Sequence, residues 1–95
     1  MISKTDKVNV KSEWLVYILK CRDGSYYTGI TNGLTKRLKA HAAGTASKYT
    51  RSRLPVKVVY RERQKNKNQA LRRELVIKKL PREQKILLIK ALRQK

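Results

Sequence analysis

Five side chains in this sequence are of the types that can together hydrolyse a phosphodiester. They are two phenols, a guanidinium, the single imidazole and a carboxylate: Tyr17, Tyr27, Arg37, His41 and Glu74. A phosphodiester resists attack because of its own negative charge, so its hydrolysis needs cations and an activated nucleophile. The spacing of the first four could bring them to one surface, and Glu74 is the natural fifth member. The set predicts a nuclease-type site.

Glu74 is the candidate metal ligand. Mg²⁺ and Mn²⁺ are hard ions that prefer carboxylate and water ligands. A single carboxylate suits one divalent cation, since a two-metal site normally needs several carboxylates. The alternative is an ordinary ion pair on a helix surface, with Arg73 or Lys78 as its partner.

The two tyrosines are candidates for handling the proton of an attacking water. Tyr27 would act as the general base, with Tyr17 assisting or orienting. Because a phenol is almost entirely protonated near pH 7, a tyrosine in this role needs nearby cations that favour its ionised form, which Arg37 and a bound metal would provide. Both residues could instead be ordinary amphipathic strand residues, which are common in β-sheets.

Arg37 and His41 lie four residues apart, so a helix would place them on one stripe. Arg37 would clamp the scissile phosphate through two parallel hydrogen bonds, or it is a solvated helix charge. His41 could protonate a leaving oxygen, relay a proton or bind phosphate. A half-buried helix residue with no chemical role is the other interpretation of His41.

A strongly basic composition points to a polyanionic partner. Lysine and arginine number 25 against 6 acidic residues, which gives a formal net charge of +19 at pH 7. Such a charge costs stability through self-repulsion, and it favours nucleic acid as the partner. The alternatives are an anionic membrane and a basic, solubilising surface with no specific partner. A mixed basic and aromatic segment suits backbone contact with stacking on an unpaired base: Lys48, Tyr49, Arg51 and Arg53. A solvated loop is the competing interpretation.

Ninety-five residues provide for one domain at most. We expect residues 1–12 to form a flexible tail and residues 13–95 to form a single domain. The tail has no apolar core of a signal peptide, and no apolar run is long enough to span a membrane. One cysteine, Cys21, excludes an internal disulfide. The cytoplasm is therefore the expected location.

The segment from Trp14 to His41 predicts a β-hairpin that leads into a helix. Residues 15–19 and 26–30 read as strands, and Asp23-Gly24 between them is a strong turn signal. A two-residue turn would put the tyrosines Tyr17 and Tyr27 on opposite faces of the hairpin. A three-residue loop, with Gly24 left-handed, pairs Tyr17 with Gly29 and puts both tyrosines on one face. Gly29 would then leave open space beside the Tyr17 ring.

The remaining elements complete a small α+β domain. Thr31 or Asn32 would cap the first helix, Gly44 would end it, and Leu34, Leu38 and Ala42 would form its buried stripe. Residues 46–54 read as a helical turn or a loop, 56–60 as a strand, and 61–68 as a polar connection. Helices follow over 69–80 and 82–93. The predicted order is β-β-α-(α)-β-α-α, with a three-stranded antiparallel sheet flanked by helices.

These motifs resemble those of the GIY-YIG nuclease superfamily, and most closely its small stand-alone members. Tyr17 in Leu15-Val16-Tyr17 stands at the tyrosine of the first motif, and Tyr27 in Tyr27-Thr28-Gly29 at that of the second. The resemblance implies that Arg37 and His41 are the polar pair of the first helix and Glu74 the metal-binding glutamate. Lys48-Tyr49-Thr50-Arg51 also resembles the small members. The resemblance covers roughly residues 14–92.

The resemblance implies a metal-dependent endonuclease acting on DNA, with one Mg²⁺ or Mn²⁺ as cofactor. Because no separate recognition domain is present, the target could be a branched, damaged or single-stranded structure. A non-catalytic basic module that binds DNA or RNA is the alternative. A pure binder has no need of Glu74, so the complete five-residue set favours the enzyme.

Overall fold

The computed structural model describes residues 13–93 of the chain. Three strands and four helices follow one another: β1 (Trp14–Lys20), β2 (Tyr26–Thr31), α1 (Leu34–Ala42), α2 (Lys48–Arg51), β3 (Lys57–Gln64), α3 (Lys67–Lys79) and α4 (Arg82–Arg93). The sheet is antiparallel with β1 in the centre, in the order β2-β1-β3. This confirms the predicted α+β fold and element order. The tail predicted over residues 1–12 lies outside the described residues.

The hairpin between β1 and β2 has the predicted three-residue loop. The Cys21 N–H donates to the Ser25 carbonyl at 2.8 Å, and Gly24 has a φ of 87°. Left-handed backbone of this kind favours glycine, so the loop depends on Gly24. As a result Tyr17 pairs with Gly29. The parity of the strands then puts Tyr27 on the same face as Tyr17, as predicted.

The hydrophobic core lies on the other face of the sheet. Val16 and Ile18 of β1 are fully buried there, and the core also includes Tyr60 of β3. The two long helices cover this face with a few small or branched residues: Ala70 and Ile77 of α3 and Ile89 of α4. Burial of these apolar groups stabilises the sheet, and it leaves the Tyr17 face for polar chemistry.

β3 is longer than predicted and takes in the first half of the stretch expected to be a polar connection. The predicted strand over 56–60 is observed as Lys57–Gln64, with Trp14 pairing with Gln64 and Leu15 with Arg63. The charges do not oppose the strand, because β3 is an edge strand whose polar side chains reach solvent. In addition, Glu62 is paired with the Arg73 guanidinium at 2.8 Å.

Helix α1 begins and packs differently from the prediction. Its N-cap is Gly33, and the Thr31 hydroxyl instead accepts the Gly33 N–H within the loop at 3.0 Å. Neither Thr31 nor Asn32 caps the helix. Ala42 is exposed, and the fully buried residue of the helix is His41. The predicted stripe therefore fails at Ala42, because the polar face of the sheet offers His41 hydrogen-bond partners that a helical pattern cannot reveal.

The helix ends are otherwise close to the predictions. Gly44 ends α1 with a φ of 80°, and the residues there form the 6→1 and 5→2 backbone bonds of a Schellman motif. The short segment after Ser47 is a helical turn, with the Ser47 hydroxyl accepting from the Tyr49 N–H at 3.1 Å. Among residues 13–93, no helix combines the length and apolarity needed to cross a membrane.

Candidate active site

The Tyr17 ring lies directly over Gly29 of the neighbouring strand. Tyr17 is 2% exposed, and a Cβ atom placed on Gly29 would come within 2.7 Å of the tyrosine hydroxyl oxygen. The expectation of open space at Gly29 is therefore wrong, because the ring itself fills that space. Gly29 is needed here for the close approach of a side chain, and its φ is not positive.

Gly29→Ala is expected to displace Tyr17 and to destabilise the domain by about 1–3 kcal/mol, because the new methyl group overpacks a closed contact. Gly33→Ala is the matched control, since a Cβ atom there meets no atom within 4 Å. Chemical denaturation monitored by circular dichroism measures both changes. Equal stability of the two variants would contradict the close contact.

A hydrogen-bonded chain runs inward from the Tyr17 hydroxyl. The Tyr17 hydroxyl oxygen lies 2.9 Å from His41 Nε2, and His41 Nδ1 lies 2.9 Å from the Thr50 hydroxyl oxygen. Thr50 in turn donates to the Ser47 carbonyl at 3.4 Å. His41 and Thr50 are fully buried. Thr50 therefore ties the short helix α2 to α1 through His41.

The protonation states in this chain follow from burial and neighbouring charge. Burial lowers the pKa of His41, and the Arg37 charge lowers it further, so the ring is neutral near pH 7. Burial raises the pKa of Tyr17, so its hydroxyl keeps its hydrogen. Since Thr50 donates to a carbonyl, His41 Nδ1 donates to Thr50, and Nε2 accepts from Tyr17.

His41 thus lies beneath the surface that carries the other candidates. It is 0% exposed, and both of its ring nitrogens are hydrogen-bonded within the protein, to Tyr17 and to Thr50. Nothing in the local sequence singles out Thr50, because its role depends on a partner nine residues away in another helix.

Tyr27 is the more exposed of the two tyrosines. Its ring meets the His41 ring edge to face, with centroids 5.4 Å apart. On another side it stacks on Tyr49, with centroids 6.0 Å apart and an interplanar angle of 25°. Tyr27 is therefore held by aromatic contacts, while its partial exposure leaves it accessible to a water or a ligand.

Arg37 is exposed and lines a cavity of about 310 Å³ at the start of α1, together with Lys36 and the loop residues 31–33. Its charge is close enough to lower the pKa of both Tyr17 and His41. The guanidinium thus lies beside the hydrogen-bonded chain and faces an open basic cavity. This is a suitable place for a phosphate group.

Glu74 lies at the border of the core, as predicted, with 15% of its side chain exposed. Its Oε2 atom is 3.2 Å from Lys78 Nζ, whereas Arg73 pairs with Glu62. The ion-pair alternative is therefore observed with Lys78. The same carboxylate is near enough to Tyr17 to help raise the pKa of its hydroxyl.

Glu74 is suited to hold a single hard cation, with water and substrate supplying the other ligands, and among the described residues it is not part of a cluster of several metal-binding side chains. Within residues 13–93, no three His, Cys, Asp or Glu side chains form a metal-binding group. Mg²⁺ commonly keeps several waters and uses one or two carboxylates together with substrate phosphates. Glu74, a single glutamate with 15% of its side chain exposed, is compatible with that requirement.

The four predicted nucleic-acid-binding residues divide into two kinds. Lys48 and Arg51 are exposed, and Tyr49 is 37% exposed. Arg53 makes contacts within the chain at its surface. Its Nε lies 3.1 Å from Asp23 Oδ2, and its guanidinium lies over the Tyr49 ring at 3.8 Å. Arg53 therefore positions Tyr49, and Lys48 and Arg51 provide the free charge.

Comparison with known proteins agrees with this geometry. A family model described as the GIY-YIG catalytic domain matches residues 13–86. A UPF0213 protein of Clostridium perfringens is 61% identical over 74 residues, covering 78% of this chain and 80% of that protein. One from Oceanobacillus iheyensis is 51% identical over 74 residues, covering 78% and 86%.

A solved structure is also similar to this chain. It is the solution NMR structure of a UPF0213 protein from Bacillus halodurans, with 42% identity and a TM-score of 0.55. The match covers 83% of this chain and 84% of the other. It confirms the α+β, GIY-YIG-like fold predicted from the sequence.

Proposed function

Since this chain belongs to the GIY-YIG family of nuclease-type domains, we propose that it is a metal-dependent endonuclease that hydrolyses phosphodiester bonds in DNA. The observation that carries this proposal is the grouping of Tyr17, His41 and Tyr27 beside the Arg37 charge and the Glu74 carboxylate. A structural surface patch has no need of a buried histidine that accepts from a tyrosine hydroxyl.

In the proposed reaction a water oxygen attacks phosphorus and the bond to the leaving oxygen breaks. Tyr27, the accessible tyrosine, takes the proton of the attacking water. Tyr17 donates its own hydrogen to His41, so the lone pairs of its oxygen are free to orient that water. Solvent reprotonates the leaving oxygen, since this shallow surface is open.

Two positive charges, that of Arg37 and that of a divalent cation, would stabilise the negative charge of the phosphate. Arg37 would hold the non-bridging oxygens through its planar fork of donors. A Mg²⁺ or Mn²⁺ ion held by Glu74 would stabilise the charge that develops in the transition state. His41 is neutral and contributes no positive charge beneath the phosphate, because burial and the Arg37 charge lower its pKa.

Binding of the rest of the strand is assigned to the exposed charges of α2. Lys48 and Arg51 would contact the phosphate backbone, and Tyr49 would stack on a base. The net charge of +19 supports a polyanionic partner. With no membrane-crossing helix in residues 13–93, we propose that the protein acts on DNA in the cytoplasm.

A second candidate function is a basic module that binds DNA or RNA without cleaving it. The observation in its favour is the Lys78–Glu74 contact of 3.2 Å, which satisfies the carboxylate without any metal. The two functions differ in one outcome, which is metal-dependent strand cleavage.

A cleavage screen tests the proposal. The full chain is incubated with duplex, single-stranded, flap and junction DNA in Mg²⁺, in Mn²⁺ and in EDTA. We expect cleavage of at least one substrate with either metal and none in EDTA. Binding of these substrates without cleavage of any would favour the non-catalytic module.

Nucleic-acid affinity is expected to fall steeply with salt, by about 0.9 log units per log unit of salt for each duplex phosphate neutralised. Lys48→Gln and Arg51→Gln should each reduce that slope by about one. Lys65→Gln, at an exposed lysine outside α2, is the control. Binding titrations at several salt concentrations measure the slopes. Slopes that do not change in the α2 variants would remove this segment from the DNA contact.

A further inference from the structure

A second cavity adjoins the candidate base, Tyr27. It has a volume of about 220 Å³ and is lined by residues from four elements: Tyr26, Tyr27 and Thr28 of β2, Tyr49 of α2, Lys78 of α3 and Lys85 of α4. We propose that this tyrosine cavity binds one nucleotide of the substrate strand, next to the scissile phosphate. The inference rests on the proposed function and adds to it the form of the substrate.

The walls of the tyrosine cavity suit a nucleobase. Tyr27 and Tyr49 both line it and stack on each other, so its wall is formed by two adjacent aromatic rings. Aromatic side chains bind any base through its π-face. Clefts for drug-sized ligands measure roughly 300–1,000 Å³, so a smaller cavity favours a single ring system.

The tyrosine cavity is held open before any ligand arrives. Arg53 donates to the Tyr49 carbonyl at 2.9 Å and to Asp23 of the hairpin loop at 3.1 Å, while its guanidinium covers part of the Tyr49 ring. At the same hairpin loop, Arg82 donates to the Gly24 carbonyl at 3.0 Å, and its guanidinium lies over the Tyr26 ring. A wall fixed in this way loses little freedom when a ligand binds.

The charged groups of the tyrosine cavity are both cationic. Lys78 and Lys85 line it, and none of its lining residues carries a carboxylate. A nucleotide presents a flat base at one end and a phosphate at the other, which matches an aromatic wall beside the Lys85 ammonium. The Lys78 ammonium also lines the cavity but is paired with Glu74. An uncharged aromatic ligand would leave the lysines unused.

Two residues connect the tyrosine cavity to the candidate active site. Tyr27 belongs to both, and Lys78 contacts Glu74 at 3.2 Å. A nucleotide here would therefore neighbour the phosphate that reacts. A base that lies in the cavity, with the tyrosine wall on one side and the lysines on the other, cannot also stack and pair in a duplex. The substrate must therefore offer at least one unpaired nucleotide at this position.

The test is a binding titration of the full chain in EDTA, followed by NMR chemical shifts. The probes are deoxyadenosine 5′-monophosphate and deoxyribose 5-phosphate, which carries the phosphate without the base. We expect the nucleotide to bind more tightly, by a factor on the order of ten, since one stacked base contributes roughly that much. Shifts should concentrate at residues 26–28 and at Tyr49.

Variants separate the base contact from the phosphate contact. Tyr49→Leu should reduce nucleotide affinity on the order of tenfold and leave deoxyribose 5-phosphate binding unchanged. Lys85→Gln should weaken both probes, whereas Lys90→Gln, at an exposed lysine of the same helix outside the cavity, should weaken neither. A folded spectrum of each variant excludes unfolding as the cause.

Equal affinity of the two probes, or equal effects of Lys85→Gln and Lys90→Gln, would overturn the proposal. These measurements need neither metal nor cleavage. Nucleotide binding by a chain that cleaves no substrate would thus support the tyrosine cavity and refute the endonuclease. Cleavage without any preference between the two probes would refute the cavity alone.

Discussion

Glu74→Gln is expected to reduce DNA cleavage by roughly 10²–10³-fold, the loss typical when a major electrostatic contact to a transition state is removed. Glutamine keeps the size and helix propensity of the side chain but lacks the charge that a divalent cation requires. The measurement is a rate of plasmid nicking over a range of Mg²⁺ and Mn²⁺ concentrations.

The fold should survive this change. Glu74 borders the core, and the contact it loses is one i,i+4 pair with Lys78, a type worth about 0.3–0.5 kcal/mol. DNA binding should hold or tighten slightly, because a negative charge leaves a surface that meets a polyanion. The loss would thus be confined to cleavage, which a general weakening of the protein could not produce.

Glu83→Gln is the matched control for Glu74→Gln. Glu83 is an exposed glutamate in the first turn of the next helix, so the substitution removes the same charge away from the tyrosines. It should leave cleavage unchanged. Similar rates for the two variants would show that Glu74 contributes only overall charge, and the metal assignment would then fail.

The hairpin was predictable because its information is local. A continuous apolar run over residues 15–19 and a return strand over 26–30, with Asp23-Gly24 between them, left two loop lengths to consider, and cooperation of the tyrosines selected one. The observed pairing of Tyr17 with Gly29 follows that choice. The expectation of open space beside Gly29 was wrong, because the Tyr17 ring lies over that glycine. The direction of the ring is set by its rotamer, which strand parity does not determine.

The errors lie where the deciding contact is distant in sequence. His41 is buried because Tyr17 and Thr50 satisfy both ring nitrogens, and neither partner is visible from a helical pattern. β3 extends through charged residues because its edge position and the Arg73 contact of Glu62 remove the penalty. Tertiary partners overrode local character in each case.

Tyr27→Phe is expected to lower cleavage by about 10²-fold or more, since general-base catalysis contributes roughly 10²–10⁴-fold. Phenylalanine keeps the ring contacts with His41 and Tyr49 and removes one oxygen. DNA binding and stability should therefore change little. Paired nicking and gel-shift assays on the folded variant measure the two effects separately.

Tyr26→Phe is the control for Tyr27→Phe, because Tyr26 is the adjacent residue of the same strand and points to the opposite face. Its phenol has no part in the proposed reaction, and the Tyr26 ring, which lines the tyrosine cavity and contacts Arg82, survives the change. Tyr17→Phe adds a second comparison. It removes the hydrogen that His41 accepts, so it should slow cleavage by disturbing orientation while Tyr27 still takes the proton.

The pH dependence distinguishes these two roles. If Tyr27 takes the proton, Tyr17→Phe should keep the rise of the cleavage rate with pH, and Tyr27→Phe should flatten it, because the group that must lose its proton is gone. The neutral His41 adds no step near pH 7, since burial and Arg37 lower its pKa. A flattened profile in Tyr17→Phe, with Tyr27→Phe unaffected, would exchange the roles of the two tyrosines. Unchanged cleavage in both variants would remove the phenols from the chemistry altogether.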